Sequence, residues 1–372
     1  MGIYMYDVKF GDCFQIKVHN DYGLVVDFGS MHNLDKQFIK IIKHFSCTSP
    51  KKILLSHYHM DHLSGLLFMM NNKGVHQYNF DEILLPDVFS GKGAASEIAL
   101  LILDKCILPK HKKYGHYTLL ELVKYLCRNS INIKFLSRGV AFDEYIALWP
   151  DKKRIKDDAD KILDSLKLNY NDMIQKLLKI AERLREIVNL LTVESFGDRR
   201  TGVLEEIINI EEEINSIFVN DDLSKAISKL KLTEFGHSVN IVFQNKNDSD
   251  NNILFTGDID KGSMGKIKKF NVSTPNLNLH EKYEYIKIPH HGTLNHFYDF
   301  KKYKPQKILI PNGKHRAKSY RITDKYYEKH QGISKFYCSN SNWCEQRECG
   351  SSKCCCNEKA VVFGMKGGRK LI

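Results

Sequence analysis

The segment Ser56-His57-Tyr58-His59-Met60-Asp61-His62 follows directly on the apolar run Ile53-Leu54-Leu55. A strand that ends this way turns alternate side chains to one side and then bends, so neutral imidazoles and a carboxylate converge on one or two divalent ions. Spacing this dense is far more specific than that of a histidine-rich surface loop. The chain is therefore constrained to a fold that gathers strand ends around a metal.

Two later segments supply partners of the same kind. Asn252-Ile253-Leu254-Phe255-Thr256-Gly257-Asp258 is an apolar strand ending in Gly-Asp, and Tyr285-Ile286-Lys287-Ile288-Pro289-His290-His291-Gly292-Thr293 is another ending in His-His-Gly. In this order the chain resembles the metallo-β-lactamase superfamily, whose pattern is His-x-His-x-Asp-His, a later His, a bridging Asp and a final His. Within that superfamily it is similar to the soluble relatives of the ComEC competence-protein hydrolase domain. Gly11-Asp12-Cys13-Phe14-Gln15-Ile16 and Val25-Val26-Asp27-Phe28-Gly29-Ser30 also stand in the order that group uses. The likeness covers residues 1 to about 100 and about 235 to 340.

The resemblance implies an α+β fold, the αββα sandwich of the metallo-β-lactamase superfamily. It assigns His57 and His59 to one metal and Asp61 and His62 to a second, with Asp258 bridging the two and His237 in the place of the third-motif histidine. The implied cofactor is a pair of zinc ions, with manganese as the alternative. Two such ions about 3.5–4 Å apart can hold a hydroxide and stabilise both oxygens of an in-line displacement. Adjacent side chains on a strand end diverge, so one of His290 and His291 is expected to bind metal. His291 is the expected ligand, and His290 is left to hydrogen-bond a phosphate oxygen or to protonate the leaving group, with Asp61 as its catalytic counterpart. Gly292 lets the backbone turn sharply and present amides to an anion. Asp12 reads as a turn residue and Asp27 as a carboxylate that fixes the tautomer of a bound imidazole.

The chain departs from the ComEC-like pattern after Lys307 to Ile310, where the expected His before Pro is missing. The loop that stands there carries Lys314, His315, Arg316, Lys318 and Arg321. Lys314, His315, Arg316 and Arg321 are the candidates for gripping a phosphate.

At 372 residues and 42% apolar content the chain can bury a full core. Its formal charge of +12 favours anionic partners through steering and counterion release. The longest apolar stretches, such as Ile98 to Leu103, are far shorter than the ~20 residues a membrane-crossing helix needs. Met1 to Asp7 shows no secretory pattern, so a cytoplasmic location is expected, with no membrane partner. Cys338, Cys344, Cys349, Cys354, Cys355 and Cys356 crowd one C-terminal stretch, but their irregular spacing gives only a weak zinc signature.

Along the chain, residues 3–30 read as a β-meander, Leu34 to Phe45 as a helix and Lys52 to Leu55 as the strand that delivers the histidines. Between 151 and 232 the pattern turns to long amphipathic helix. Leu163, Tyr170, Leu177, Leu184 and Leu191 recur every seven residues, with Leu166, Met173, Ile180 and Ile187 three later, which is a coiled-coil seam. A second run, Val203 to Ile217, suggests an antiparallel helical hairpin inserted between a first half of the sandwich, 1–150, and a second, 233–372. Such an arm can pack on its host, form a homodimer, engage a protein partner or clamp substrate. A strand is expected over Ser238 to Gln244, and Ala360 to Phe363 is expected to close the sheet.

The expected activity is metal-dependent hydrolysis, foremost by a phosphodiesterase or nuclease acting on nucleic acid or nucleotides. The alternatives are a carbonyl hydrolase of the lactone, thioester or β-lactam type, and a non-catalytic binding or scaffold module that uses the helical arm.

Overall fold

The computed structural model describes residues 2–18, 21–71, 78–89, 91, 93–107, 118–129, 131–192, 200–218, 221–230, 232–270, 277–313, 321–339 and 358–359. Two sheets form its centre. The first runs β1 (Gly2–Met5), β2 (Cys13–Val18), β3 (Asp21–Phe28), β4 (Lys52–Leu54), β5 (Glu82–Pro86) and β6 (Asn132–Leu136), in that spatial order. Strands β1 to β3 are antiparallel, and β3 to β6 are parallel. The second sheet comprises β7 (Ala141–Phe142), β8 (Tyr145–Trp149), β9 (Val242–Asn245), β10 (Ile253–Phe255), β11 (Tyr285–Lys287), β12 (Lys307–Ile310), β13 (Lys335–Cys338) and β14 (Glu358–Lys359). It repeats the plan: β7 to β10 are antiparallel and β10 to β14 parallel.

Side-chain alternation along each strand sorts the apolar residues into layers. Leu24, Val26 and Leu54 point between the sheets and meet Phe243, Phe255 and Leu309 of the second sheet. Phe14 lies edge-on to Phe255 at 5.2 Å, and Phe255 stacks on Phe243. The intervening residues Val25, Ile53, Leu55 and Ile83 face the opposite way, into a helical layer. On the far side of the second sheet Leu254, Ile286, Ile308 and Phe336 pack on α9 (Lys261–Phe270) and α10 (Lys325–His330). Helix, sheet, sheet and helix thus stack in four layers, a mixed α+β arrangement consistent with the metallo-β-lactamase fold.

The helical layer over the first sheet holds α1 (Asp35–Thr48), α2 (Met60–Asn71), α3 (Ala95–Ile107), α4 (Thr118–Asn129), α5 (Lys152–Leu191), α6 (Arg200–Ile217), α7 (Asp221–Ser228) and α8 (Leu232–Ser238). Helix α3 is apolar and buried all round at Ile98 to Leu103, because it packs along the long α5 as well as on the layer's interior. The buried Glu97 on α3 accepts from Arg185 Nε of α5 at 2.6 Å. Asp151 caps the start of α5 by accepting from the Arg154 amide at 3.0 Å.

The seven-residue seam on α5 is buried at Leu163, Leu166, Leu177, Ile180, Leu184, Ile187 and Leu191. It is not continuous, because the backbone leaves helical geometry at Tyr170 (φ −137°, ψ 33°). Its chief packing neighbour is α3, and α6 joins it through Arg183, which donates to Glu213 at 2.7 Å. Residues 193–199, between α5 and α6, lie outside the described residues. The strand expected over Ser238 to Gln244 starts only at Val242, since Leu232–Ser238 is helical. Ala360 to Phe363, Cys344, Cys349 and Cys354 to Cys356 lie outside the described residues. Among the described residues no helix is long and apolar enough to cross a membrane.

Candidate metal centre

The parallel strands of both sheets end at one rim, where Asp27 at the end of β3 meets residues that follow β4, β10 and β11. From the β4 end come His57 and His59, followed by Asp61 and His62 in the first turn of α2. From the β10 end comes Asp258, and from the β11 end come His290 and His291. Helix α8 brings His237.

Two donor groups face each other here. His57, His59 and His237 form the first, and Asp61, His62, Asp258 and His291 the second, each with its ligand atoms within 4.8 Å of one another. His237 also groups with His290 and His296, and His62 with Asp12 and Asp27. Asp258 Oδ2 lies between the two groups, 3.3 Å from His62 Nε2, 3.7 Å from His291 Nε2 and 3.9 Å from His57 Nε2. His57 Nε2 and His59 Nδ1 stand 3.0 Å apart, and His291 Nε2 is 3.0 Å from Asp61 Oδ2.

On His62 and His291 the outward ring nitrogen is held by a partner that leaves the inward one for a cation. His62 Nδ1 donates to Asp27 Oδ2 at 2.8 Å, and Asp27 also takes the Ser56 amide and hydroxyl. His291 Nδ1 donates to the Pro311 carbonyl at 2.7 Å. Such contacts fix the tautomer and aim the opposite nitrogen at a metal. His62 Nε2 and Asp258 Oδ2 are both buried without a hydrogen-bond partner. Orphaned polar atoms at this depth are costly, and a shared dication satisfies both. The donor set of imidazole and carboxylate therefore fits zinc, and manganese as well.

His290 and His291 do not diverge as adjacent strand residues would. They lie in a single 3-10 turn after β11 with left-handed backbone, φ 46° and 56°, so both rings approach Asp258 Oδ2 at 3.7 Å. Asp27 is also left-handed, at φ 56°. Strain of this kind persists where the surrounding structure over-determines it. Asp12 is more than a turn residue. It is fully buried, with Oδ1 3.0 Å from His291 Nδ1 and Oδ2 2.6 Å from Lys287 Nζ.

Charge divides the site in two. Burial holds the His57 and His59 rings below the ordinary imidazole range and His237 down at about 4, so their lone pairs are free at neutral pH. Burial works against charge at His62 too, but Asp258, Asp27, Asp12 and Asp61 raise it well above its usual value. His291 is raised to about 10 against the same burial, chiefly by Asp258 and Asp12. Burial would push the Asp258 carboxyl up, yet His62, His291, His290 and Lys287 hold it well below the carboxylate range. The carboxylate side thus draws positive charge into the place where a metal would stand.

Of the expected phosphate-gripping residues, Lys314, His315 and Arg316 lie outside the described residues. Arg321 is exposed, next to Ile322, which pairs with Thr293 beside the site. Three participants carried no motif. Lys287 is the buried partner of Asp12, Asn240 accepts the Asp258 amide at 2.8 Å, and His296 stacks on His290 at 4.0 Å.

Gly236 matters for a steric reason. A Cβ there would lie 2.5 Å from His59 Nε2, and the tip of the imidazole is the part that can yield. Gly236→Ala is expected to fold normally but displace His59, lowering zinc affinity by about 10–100-fold, as loss of an orienting contact does. Competition with a chelating dye measures this. Unaltered affinity would show that His59 needs no such clearance.

Residues 6–95 match the family model of the Metallo-beta-lactamase superfamily. No curated protein and no solved structure matches the chain. The family match and the histidine and aspartate clusters together suggest a metal-dependent hydrolase.

Proposed function

We propose that this protein is a phosphodiesterase or nuclease that uses two zinc ions, or manganese in their place, to hydrolyse nucleic acid or nucleotides. His57, His59 and His237 would hold one ion, Asp61, His62 and His291 the other, and Asp258 would serve both. The carrying observation is the place of Asp258 Oδ2, within 4 Å of ring nitrogens from both donor groups. When bound, such a pair supplies Lewis acidity and lowers the pKa of a water towards neutrality.

Charge favours a phosphate substrate. Asp12, Asp27, Asp61 and Asp258 are buried carboxylates and Lys287 is a buried ammonium, which leaves three net negative charges. Two dications turn that into one positive charge, so the loaded pocket prefers an anion to a neutral ester or thioester. The likeness to ComEC-type hydrolases points the same way, as do Lys314, His315, Arg316 and Arg321 as candidate phosphate contacts.

The chain's own residues handle the protons. Thr293 Oγ1 is 2.8 Å from His290 Nδ1 and 3.2 Å from His296 Nδ1. A hydroxyl that accepts from His296 and donates to His290 leaves the His290 proton on Nε2, facing the centre, where the neutral ring can donate a hydrogen bond to a phosphate or leaving oxygen. Asp61, with its carboxyl held in the ionised form by His62 and His291 against burial, can accept a hydrogen bond from the attacking water and orient it. Residues 151–232 serve as a helical hairpin inserted between the halves of the sandwich and packed on its host through α3, and the protein works in the cytoplasm.

Purified protein should hydrolyse bis(p-nitrophenyl) phosphate and at least one of single-stranded DNA, RNA or a cyclic nucleotide. Chelator should abolish the rate, and zinc or manganese should restore it. Turnover of a lactone, thioester or β-lactam with none on phosphoesters selects the carbonyl hydrolase. Bound metal with no turnover on any of these selects a scaffold.

A further inference from the structure

The chain leaving the metal centre on two sides forms the walls of a second feature. Three residues after Asp258 stands Lys261, and directly after His296 come Phe297 and Tyr298. Together with Asp299, Lys301 and Lys302 they line an open groove of about 710 Å³. That volume is within the range of about 300–1,000 Å³ usual for ligand sites. His59, His290 and His296 are the partly exposed histidines of the centre. Phe297 of the groove lining directly follows His296 of this mouth in the chain.

The lining combines two chemistries. Phe297 packs edge-on against the buried Tyr326 at 4.8 Å, and Tyr298 lies 5.0 Å from the buried Phe300. Each half-buried ring is thus braced from behind while it contributes to the groove wall. The exposed Lys261, Lys301 and Lys302 add positive charge beside them. The one acidic lining residue, Asp299, accepts the Lys301 backbone amide at 2.9 Å. Lysines beside braced aromatic rings suit a ligand that carries regular negative charge and flat apolar faces together.

We infer that this groove is a track for single-stranded nucleic acid, with bases stacked on Phe297 and Tyr298 and phosphates along Lys261, Lys301 and Lys302. A duplex hides its base faces in its own stack and cannot use the rings in this way. The strand then lies with its backbone leading to the metal centre, a role that rests on the phosphodiesterase reading above.

Binding separates the track from the chemistry. Fluorescence anisotropy of zinc-loaded protein with phosphorothioate 12-mers of thymidine and of uridine, which resist cleavage, compares the DNA and RNA arms. At least one should bind more tightly than a duplex of equal length. The Lys261→Glu, Lys301→Glu, Lys302→Glu triple variant, changed only at exposed positions, should weaken that binding about tenfold or more and flatten the slope of log Kd against log salt by about 2. Tyr298→Ala should weaken it about fivefold or more through lost stacking. Equal binding by parent and triple variant, preference for the duplex, or no binding of either strand overturns the track. Failure of the parent protein to hydrolyse bis(p-nitrophenyl) phosphate instead overturns the phosphodiesterase reading, whatever the strands do.

Discussion

Asp258→Asn is expected to keep its fold and lose its chemistry. The backbone amide of Asp258, which donates to Asn240, is untouched by the change, and a neutral amide is no harder to bury than the carboxylate. An amide cannot offset the charge of two cations held close together, so metal content should fall from two ions per chain to one or none. Loss of several kcal/mol of transition-state stabilisation corresponds to a rate lower by about a thousandfold or more. Elemental analysis and steady-state rates on a small phosphodiester test this. Two retained ions and an unchanged rate would remove Asp258 from the centre.

Lys287→Met is expected to act on stability in a metal-dependent way. Lys287 Nζ lies 2.6 Å from Asp12 Oδ2, 2.7 Å from the Gly257 carbonyl and 3.4 Å from Asp258 Oδ1, and all of it is buried. Burial alone would lower its pKa, but Asp12 and Asp258 raise it, so it stays an ammonium ion. Methionine fills the space and leaves both carboxylates without their cation, a loss worth about 3–5 kcal/mol for a broken buried pair. Bound dications supply compensating positive charge. Urea unfolding should therefore show the full loss in chelator and a smaller loss with zinc. Equal stability of variant and parent in chelator would mean that the pair contributes nothing.

The legible part of this site was what its motifs carry at strand ends. His57, His59, Asp61, His62, Asp258 and the His290-His291 pair are dense, polar and directly preceded by apolar runs, so their convergence could be expected before any coordinates. The strand expected from Ser238 puts His237 just ahead of it, yet Leu232, Phe235 and Val239 fall at helical steps of three and four, and His237 lies in helix α8. Lys287 carries one signal: a charged residue between Ile286 and Ile288 in a strand buried on both faces breaks the apolar pattern such strands keep. His296 left none, because it sits in a three-residue 3-10 turn, too short to show either period. The seven-residue repeat on α5 specified an apolar seam but not its partner, and α3, itself apolar all round, is the chief one.

The most direct measurement is anomalous diffraction at the zinc edge from crystals of the zinc-loaded protein. Two ions are predicted about 3.5–4 Å apart, with Asp258 Oδ2 shared between them, His57, His59 and His237 on one and Asp61, His62 and His291 on the other. Well-ordered crystals with zinc bound elsewhere, or with a single ion that leaves Asp258 uncoordinated, would contradict a centre built from both halves of the chain.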